Sequence, residues 1–361
     1  MKRLIFSSLL LCTFTLELCT FPGCKSPTAP VNNKQSDTTS HNYVWQTFIL
    51  GDGNSSILDD VTIINDTLAY AAGEIYIKDS TGEYDDYNAA VWNGQKWNLL
   101  KIKVEDYGGI SGYFPLKNIY AFSSTDIWYC SDANLIQYYN SNYYSKAFFM
   151  TGVPFNGQVR KMYGIDHSNI YCVGLGGAIY HYKNFTWQKI DLGTTANIFD
   201  VWGNKSSNNT STTVYVPVSD LNTDNGIKKI FKIKGTQIDS LQWNTGKNVL
   251  SVWGTDDGGT LYAAGDGIFV NKGNGWEGIS YGSDTRFFRI RGDGWNNIFV
   301  RGIRLVPPLN EVIAHYNGST WKEYDELSGY YYYGIAVKGK LVIIVGENGN
   351  QAVAVIGKRI D

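Results

Sequence analysis

One pattern constrains this chain more than any other: a hydrophobic residue, an aromatic and a glycine recur in sequence. The triplet is written Met162-Tyr163-Gly164, Val201-Trp202-Gly203 and Val252-Trp253-Gly254. After Val252 the chain reads "VWGTDDGGTLYAAGDGIFVNKGNGWEGI": a turn, an apolar dyad, a second glycine, an alternating stretch, and a Gly-rich turn before Trp276. The hydrophobic positions Ile119, Met162, Val201, Val252 and Ile290 follow one another at intervals of 43, 39, 51 and 38 residues. A second anchor, the position before the last strand of each unit, is Trp97, Tyr144, Trp187, Ile238, Trp276 and Trp321, at intervals of 47, 43, 51, 38 and 45 residues. Each unit divides into four short strands, with turn pairs such as Asn93-Gly94 and Asn317-Gly318 suited to tight hairpins.

A four-strand unit every 40 to 50 residues is the signature of a β-propeller blade. The last unit, "YYGIAVKGKLVIIVGENGNQAVAVIGKR", supplies only three strands. The segment "YVWQTFIL" near the N-terminus reads as an unpaired outer strand, like "QKWNLLKI" after Gln95. The expectation is therefore an all-β, seven-bladed β-propeller whose last blade is closed by an N-terminal strand, residues 44–49. Closing the ring this way hides the sheet edges that would otherwise invite aggregation.

Composition agrees. Tyr (26), Trp (11) and Phe (16) are abundant, Gly reaches 39, and charged residues make up only 18%. Such chains form strands broken by turns. The formal net charge of −2, with no basic block, argues against a nucleic-acid partner.

At the N-terminus, Lys2 and Arg3 precede the apolar run Leu4 to Leu16, which is of secretory length and too short to span a bilayer. Gly23-Cys24 follows and resembles a bacterial lipoprotein signal, with Cys24 as the lipidated residue, although Phe21 and Pro22 depart from the usual pattern. The expected organisation is a signal peptide over 1–23, a flexible Pro/Ser/Thr/Asn tether over 24–43, and the propeller over 44–361. The protein would be exported to the bacterial cell envelope and lipid-anchored, facing the periplasm or sitting on the outer membrane. Cys130 and Cys172 fall in neighbouring units one residue out of phase and are expected to be buried free thiols.

The stretch "WQTFILGDGNSSILDDVTIINDTLAYAAGEIYIKDS", with "NAAVWNGQKWNLLKI" downstream, is similar to a family of predicted bacterial β-propeller lipoproteins sometimes labelled glucosyl transferase. The resemblance implies the fold over most of the mature chain. The sequence itself has no D-x-D metal–nucleotide motif and no alternating βα pattern that would support a sugar-nucleotide activity.

Candidate site residues come from two patterns. One residue before the triplet's hydrophobic lies a column that reads Asp60, Asn118, Lys161, Asp200, Ser251, Arg289 and Gly334 through the units. It is polar on the innermost strand, so it is expected to ring the central channel, either as a hydrated structural ring or as a ligand site. Second, the long connections between units carry Tyr107, Tyr113, Tyr281 and Tyr331, and Tyr-rich loops make adaptable binding surfaces. His181 and His315 share a strand position that elsewhere holds Val91, Tyr138, Lys232 and Val270, which marks them as packing residues. No His/Cys cluster suggests a transition metal. "DLNTDNG" from Asp220 places its glycine one position late for a calcium loop and lacks the closing glutamate. No nucleophile elbow is present.

These patterns predict a monomeric envelope-anchored binding or scaffold module, without cofactor or catalysis, that recognises a protein, peptide or glycan through its long-loop face. The alternative is a glycan-active hydrolase or lyase at the channel mouth, using Asp60 and Asp200 with Arg289.

Overall fold

The computed structural model describes residues 38–361, apart from 106–109, 132–133, 140–141, 148–157, 185, 206–211, 224, 257 and 283. Cys24 and Tyr107 lie outside the described residues.

The chain is an all-β β-propeller. Among the described residues, its strands assemble into seven four-stranded antiparallel sheets and one two-stranded sheet. We number the four-stranded sheets by their innermost strands: Ile57–Asn65, Asn118–Ser123, Val159–Asp166, Trp202–Lys205, Val249–Gly254, Thr285–Gly292 and Tyr331–Lys338. Sheets one to six are each built by one consecutive run of four strands. Sheet seven takes its outer strand from the other end of the chain: Tyr43–Leu50 pairs antiparallel with Ala352–Arg359, from Tyr43 opposite Arg359 to Leu50 opposite Ala352.

The core is distributed between neighbouring sheets. Val342, Ile344, Val353 and Val355 of sheet seven pack with Phe299 and Ile313 of sheet six. The opposite face of sheet seven, with Leu341, Ile343 and Ala354, packs on Leu58, Val61 and Ala69 of sheet one. Sheets one and two share Ala72, Ile102, Ile119 and Tyr129, and sheets two and three share Trp128, Cys130, Met162 and Cys172. The middle strand Leu341–Glu347 is thus apolar on both faces, which explains its near-continuous run "LVIIV".

The triplet has a specific packing role. Its glycine receives the aromatic ring of the preceding sheet. A Cβ on Gly164 would fall 2.3 Å from the Phe122 ring, and one on Gly203 would fall 2.4 Å from the Tyr163 ring. At Gly254 and Gly292 the obstructing atoms include the Trp202 and Trp253 rings, at 2.8 and 2.9 Å. Only glycine allows so close an approach.

The polar segment before the first strand joins the propeller earlier than its composition suggests. The Thr39 amide donates to the Asn317 carbonyl at 3.3 Å, Ile360 donates to the Asn42 carbonyl, and the Tyr324 hydroxyl donates to the His41 carbonyl. His41 Nδ1 lies 2.9 Å from His315 Nδ1. Residues 38–43, expected to belong to the tether, are therefore bonded to the propeller. Backbone groups and one histidine suffice to pin them, and neither leaves an apolar signal in the sequence. Cys130 and Cys172 are buried free thiols.

Candidate functional site

The polar column is buried where the innermost strands meet. Asp60, Asn118, Lys161, Asp200, Ser251 and Arg289 are all at most 8% exposed. Two ion-paired groups link them across sheets. Lys161 Nζ donates to both Asp60 oxygens at 2.5 and 2.7 Å, and Asp60 also accepts the Ile119 amide. Asp200 accepts from Arg289 at 2.7 Å, from Arg291 at 2.6 and 2.9 Å, and from the Ser251 hydroxyl at 2.5 Å. Burial alone would push the Asp200 carboxyl up, but the two guanidiniums and the hydrogen bonds from Arg291 and Ser251 hold it below the usual carboxylate range. Burial pulls Lys161 down to about 8 against the attraction of Asp60, and Arg289 and Arg291 add to the pull. A buried network of this kind is costly to break on one side only.

In most sheets the residue before the layer lines a cavity at one end of the channel and the residues after it line a cavity at the other. Asp59, Lys117, Arg160, Phe199, Phe288 and Tyr333 line a cavity of about 110 Å³ at the end carrying the long loops. Val61, Ile119, Met162, Val201 and Ile335 line a cavity of about 430 Å³ at the opposite end, where the short hairpin turns lie. The ion-paired layer separates the two.

The larger cavity has two unlike walls. The triplet aromatics Tyr120, Tyr163, Trp202 and Trp253 form one side. Thr62 and Ala336, which occupy the aromatic's position in sheets one and seven, form the other, and Lys161 and Arg291 also border it. The aromatics are locked: Tyr120 and Tyr163 meet edge to face at 5.4 Å, and the Tyr163 hydroxyl donates to the Gly203 carbonyl at 2.6 Å. Burial raises the Tyr120 hydroxyl to about 12 and raises that of Tyr163 further, so both stay protonated donors. Among the described residues, Asp256 is the one carboxylate on this lining, and it is exposed.

The smaller cavity is basic. Lys117, Arg160, Arg289 and Arg301 line it, with Asp59 as the only carboxylate among the described residues. Asp59 sits 3.2 Å from Lys117, yet burial raises it to about 6. Behind Arg301, burial likewise raises Glu311 to about 7.

The structure does not gather the loop tyrosines. Tyr113 is 44% and Tyr331 61% exposed, while Tyr281 is wedged between Phe287 and Trp321 and donates to Glu323 at 2.7 Å. None of these three borders an axial cavity. Asp60 and Asp200, the acids of the enzymatic alternative, border neither cavity, whereas Lys161 faces the larger and Arg289 the smaller. The aromatic wall was missed in the sequence although its signal, the triplet aromatic, was the basis of the repeat. His181 and His315 are packing residues: His181 stacks on Tyr171 at 4.1 Å and His315 on Phe299 at 4.6 Å. Asp220 binds its own loop through the Asn222 amide and the Thr223 hydroxyl. Among the described residues, no group of three His, Cys, Asp or Glu is placed to hold a metal ion.

No family model matches this chain, and no curated protein does. Solved structures do. YCF48 bound to D1 peptide superposes with a TM-score of 0.59 at 13% identity, covering 90% of this chain and 99% of that one. A catalytically inactive virginiamycin B lyase from Staphylococcus aureus with quinupristin gives 0.60 at 12% identity, over 88% of this chain and 100% of that one. The WD40 β-propeller domain of Doa1 gives 0.60 at 11% identity, over 89% and 98%. At such identities the likeness speaks to the fold.

Proposed function

We propose that this protein is a seven-bladed propeller, one blade per four-stranded sheet, that binds a peptide or protein segment and carries out no chemistry on it. The ligand enters the larger axial cavity at the hairpin-turn end, so the binding face is opposite to the long-loop face that the sequence suggested. The observation that carries this is the half-aromatic collar of Tyr120, Tyr163, Trp202 and Trp253 around about 430 Å³, within the size range of pockets that hold a side chain or small ligand. Rigid aromatics bury much area at little entropic cost. The Thr62–Ala336 side leaves room for an inserted apolar or aromatic side chain. The carboxylates nearest the axis are engaged with cations, which favours recognition over acid–base catalysis. YCF48, seen with a peptide, is a propeller precedent for such a ligand. We place the module in the bacterial envelope, held by lipid on Cys24.

Selection of a random peptide library on the full chain tests this. Peptides enriched on the native protein should lose at least tenfold in affinity with Ala336→Trp, which fills the cavity, and with Trp253→Leu, which removes one of the four rings of the aromatic wall. Selection that yields no saturable binder, or binders indifferent to both variants, would refute the reading. In cells, Cys24→Ala should move the protein from the membrane to the soluble fraction; retention on the membrane would remove the anchor.

A further inference from the structure

The smaller cavity has no part in that reading, and its chemistry is different. We propose that the loop-side mouth of the channel is a binding site for an oxyanion, a carboxylate or phosphate group, held by Arg289, Arg301, Arg160 and Lys117. The inference stands independently of what the larger cavity binds.

Four cations converge there on one carboxylate. Asp59 is already taken by Lys117 at 3.2 Å. Arg289 is 8% exposed; its Nη1 serves Asp200 and the Phe199 carbonyl, while its Nε is buried with no partner. The Nε of Arg301 is also buried without a partner, and its guanidinium lies 5.3 Å over the Phe288 ring. Arg160 is exposed at the rim and spends one Nη on Gln158.

A guanidinium carries five donors and cannot shed its charge, so a buried N–H aimed at nothing is expensive. The nearby acids do not settle the account. Asp59 and Glu311 are pushed up by burial to about 6 and about 7, so near neutral pH each is only partly charged. Arg301 itself is pulled down to about 10 by burial, against the attraction of Glu311. The missing partner is thus an anion with several acceptor oxygens, the match for planar guanidinium forks. The cavity of about 110 Å³ has room for one such group and is well below the roughly 300 Å³ that drug-sized ligands occupy.

The same group could come from free phosphate or from the end of a peptide, and titration calorimetry on the full chain at low salt separates the two. The probes are inorganic phosphate and the tripeptide acetyl-Ala-Ala-Ala, with a free carboxylate or as its amide. Saturable binding of phosphate with neither tripeptide assigns a free oxyanion. Binding of the acid but not the amide assigns a chain terminus. Either result supports the site if Arg301→Met weakens binding tenfold or more, as expected for one charge-assisted contact. Because Arg301 is partly buried, the exposed Arg160→Gln serves as a second variant, expected to weaken binding severalfold while leaving the unfolding midpoint unchanged. Absence of saturable binding for all three probes, or affinities unaltered in both variants, would overturn the proposal.

Discussion

Replacing Gly203 by alanine tests the link between the repeated triplet and the packing of the sheets. The added Cβ would lie 2.4, 3.0 and 3.1 Å from three atoms of the Tyr163 ring, so the ring must retreat by about 1 Å to reach ordinary contact. It cannot do so freely, because its hydroxyl donates to the carbonyl of Gly203 itself at 2.6 Å. Overpacking of this kind costs about 1–3 kcal/mol, and stretching the hydrogen bond adds about 1 kcal/mol. The backbone at Gly203 does not have a positive φ, so alanine recovers about 0.4–1 kcal/mol from the unfolded chain. The expected net loss is about 2–3 kcal/mol, which moves a guanidinium unfolding midpoint down by roughly 0.5 M. Gly278→Ala is the control: it too lies in a strand without positive φ, and its Cβ would meet nothing within 4 Å. That variant should fall within about 0.5 kcal/mol of the native protein. Combining Gly203→Ala with Tyr163→Ala should recover at least about 1 kcal/mol relative to the sum of the single changes. If Gly203→Ala and Gly278→Ala unfold at the same midpoint, the clasp between glycine and aromatic does not hold the sheets in place.

Two further outcomes are expected. Deleting residues 43–50 uncovers the edge of Ala352–Arg359 and should give a species that self-associates in light scattering; a monodisperse product with an unchanged midpoint would refute closure by that strand. Acid should weaken the fold through its histidines: burial lowers His315 to about 3 and His181 to about 4, with His41, Arg359 and Lys322 adding to the effect at His315. Because the unfolded chain takes up these protons near pH 6.5 and the fold resists them, this stability is complete above about 6.5 and is lost as pH falls toward 3–4, by roughly 2–3 kcal/mol per histidine at pH 4.5. His315→Val should flatten the dependence between pH 7 and 4.5, and an unaltered slope would count against it.

The unit period, the polar axial column and the closing strand could be read from the sequence because each repeats or completes a repeat. The alternating signs of the column allow mutual pairing, but which residue pairs with which could not be read. Lys161 reaches Asp60 two sheets away and Arg289 reaches Asp200, and no local spacing records such reach. The face proposed here for the ligand is not the one that loop length points to, for a different reason. Loop length drew attention to Tyr113, Tyr281 and Tyr331, but in a chain with 26 tyrosines a local excess carries little information. The informative aromatics were those at fixed register beside a glycine, and their direction toward the axis is set by strand pleat, which a one-dimensional pattern leaves ambiguous until the sheets are stacked.

The glycine sockets lie in sheets three to six, filled in turn by Phe122, Tyr163, Trp202 and Trp253. Where the chain ends meet, Ala336 and Thr62 stand in the aromatic's place, and aliphatic packing takes over. The middle of the molecule is therefore assembled from couplings of one standard type, while the seam is custom-made. A unit copied within the middle would arrive with both halves of its coupling and leave the junction that shuts the circle unchanged.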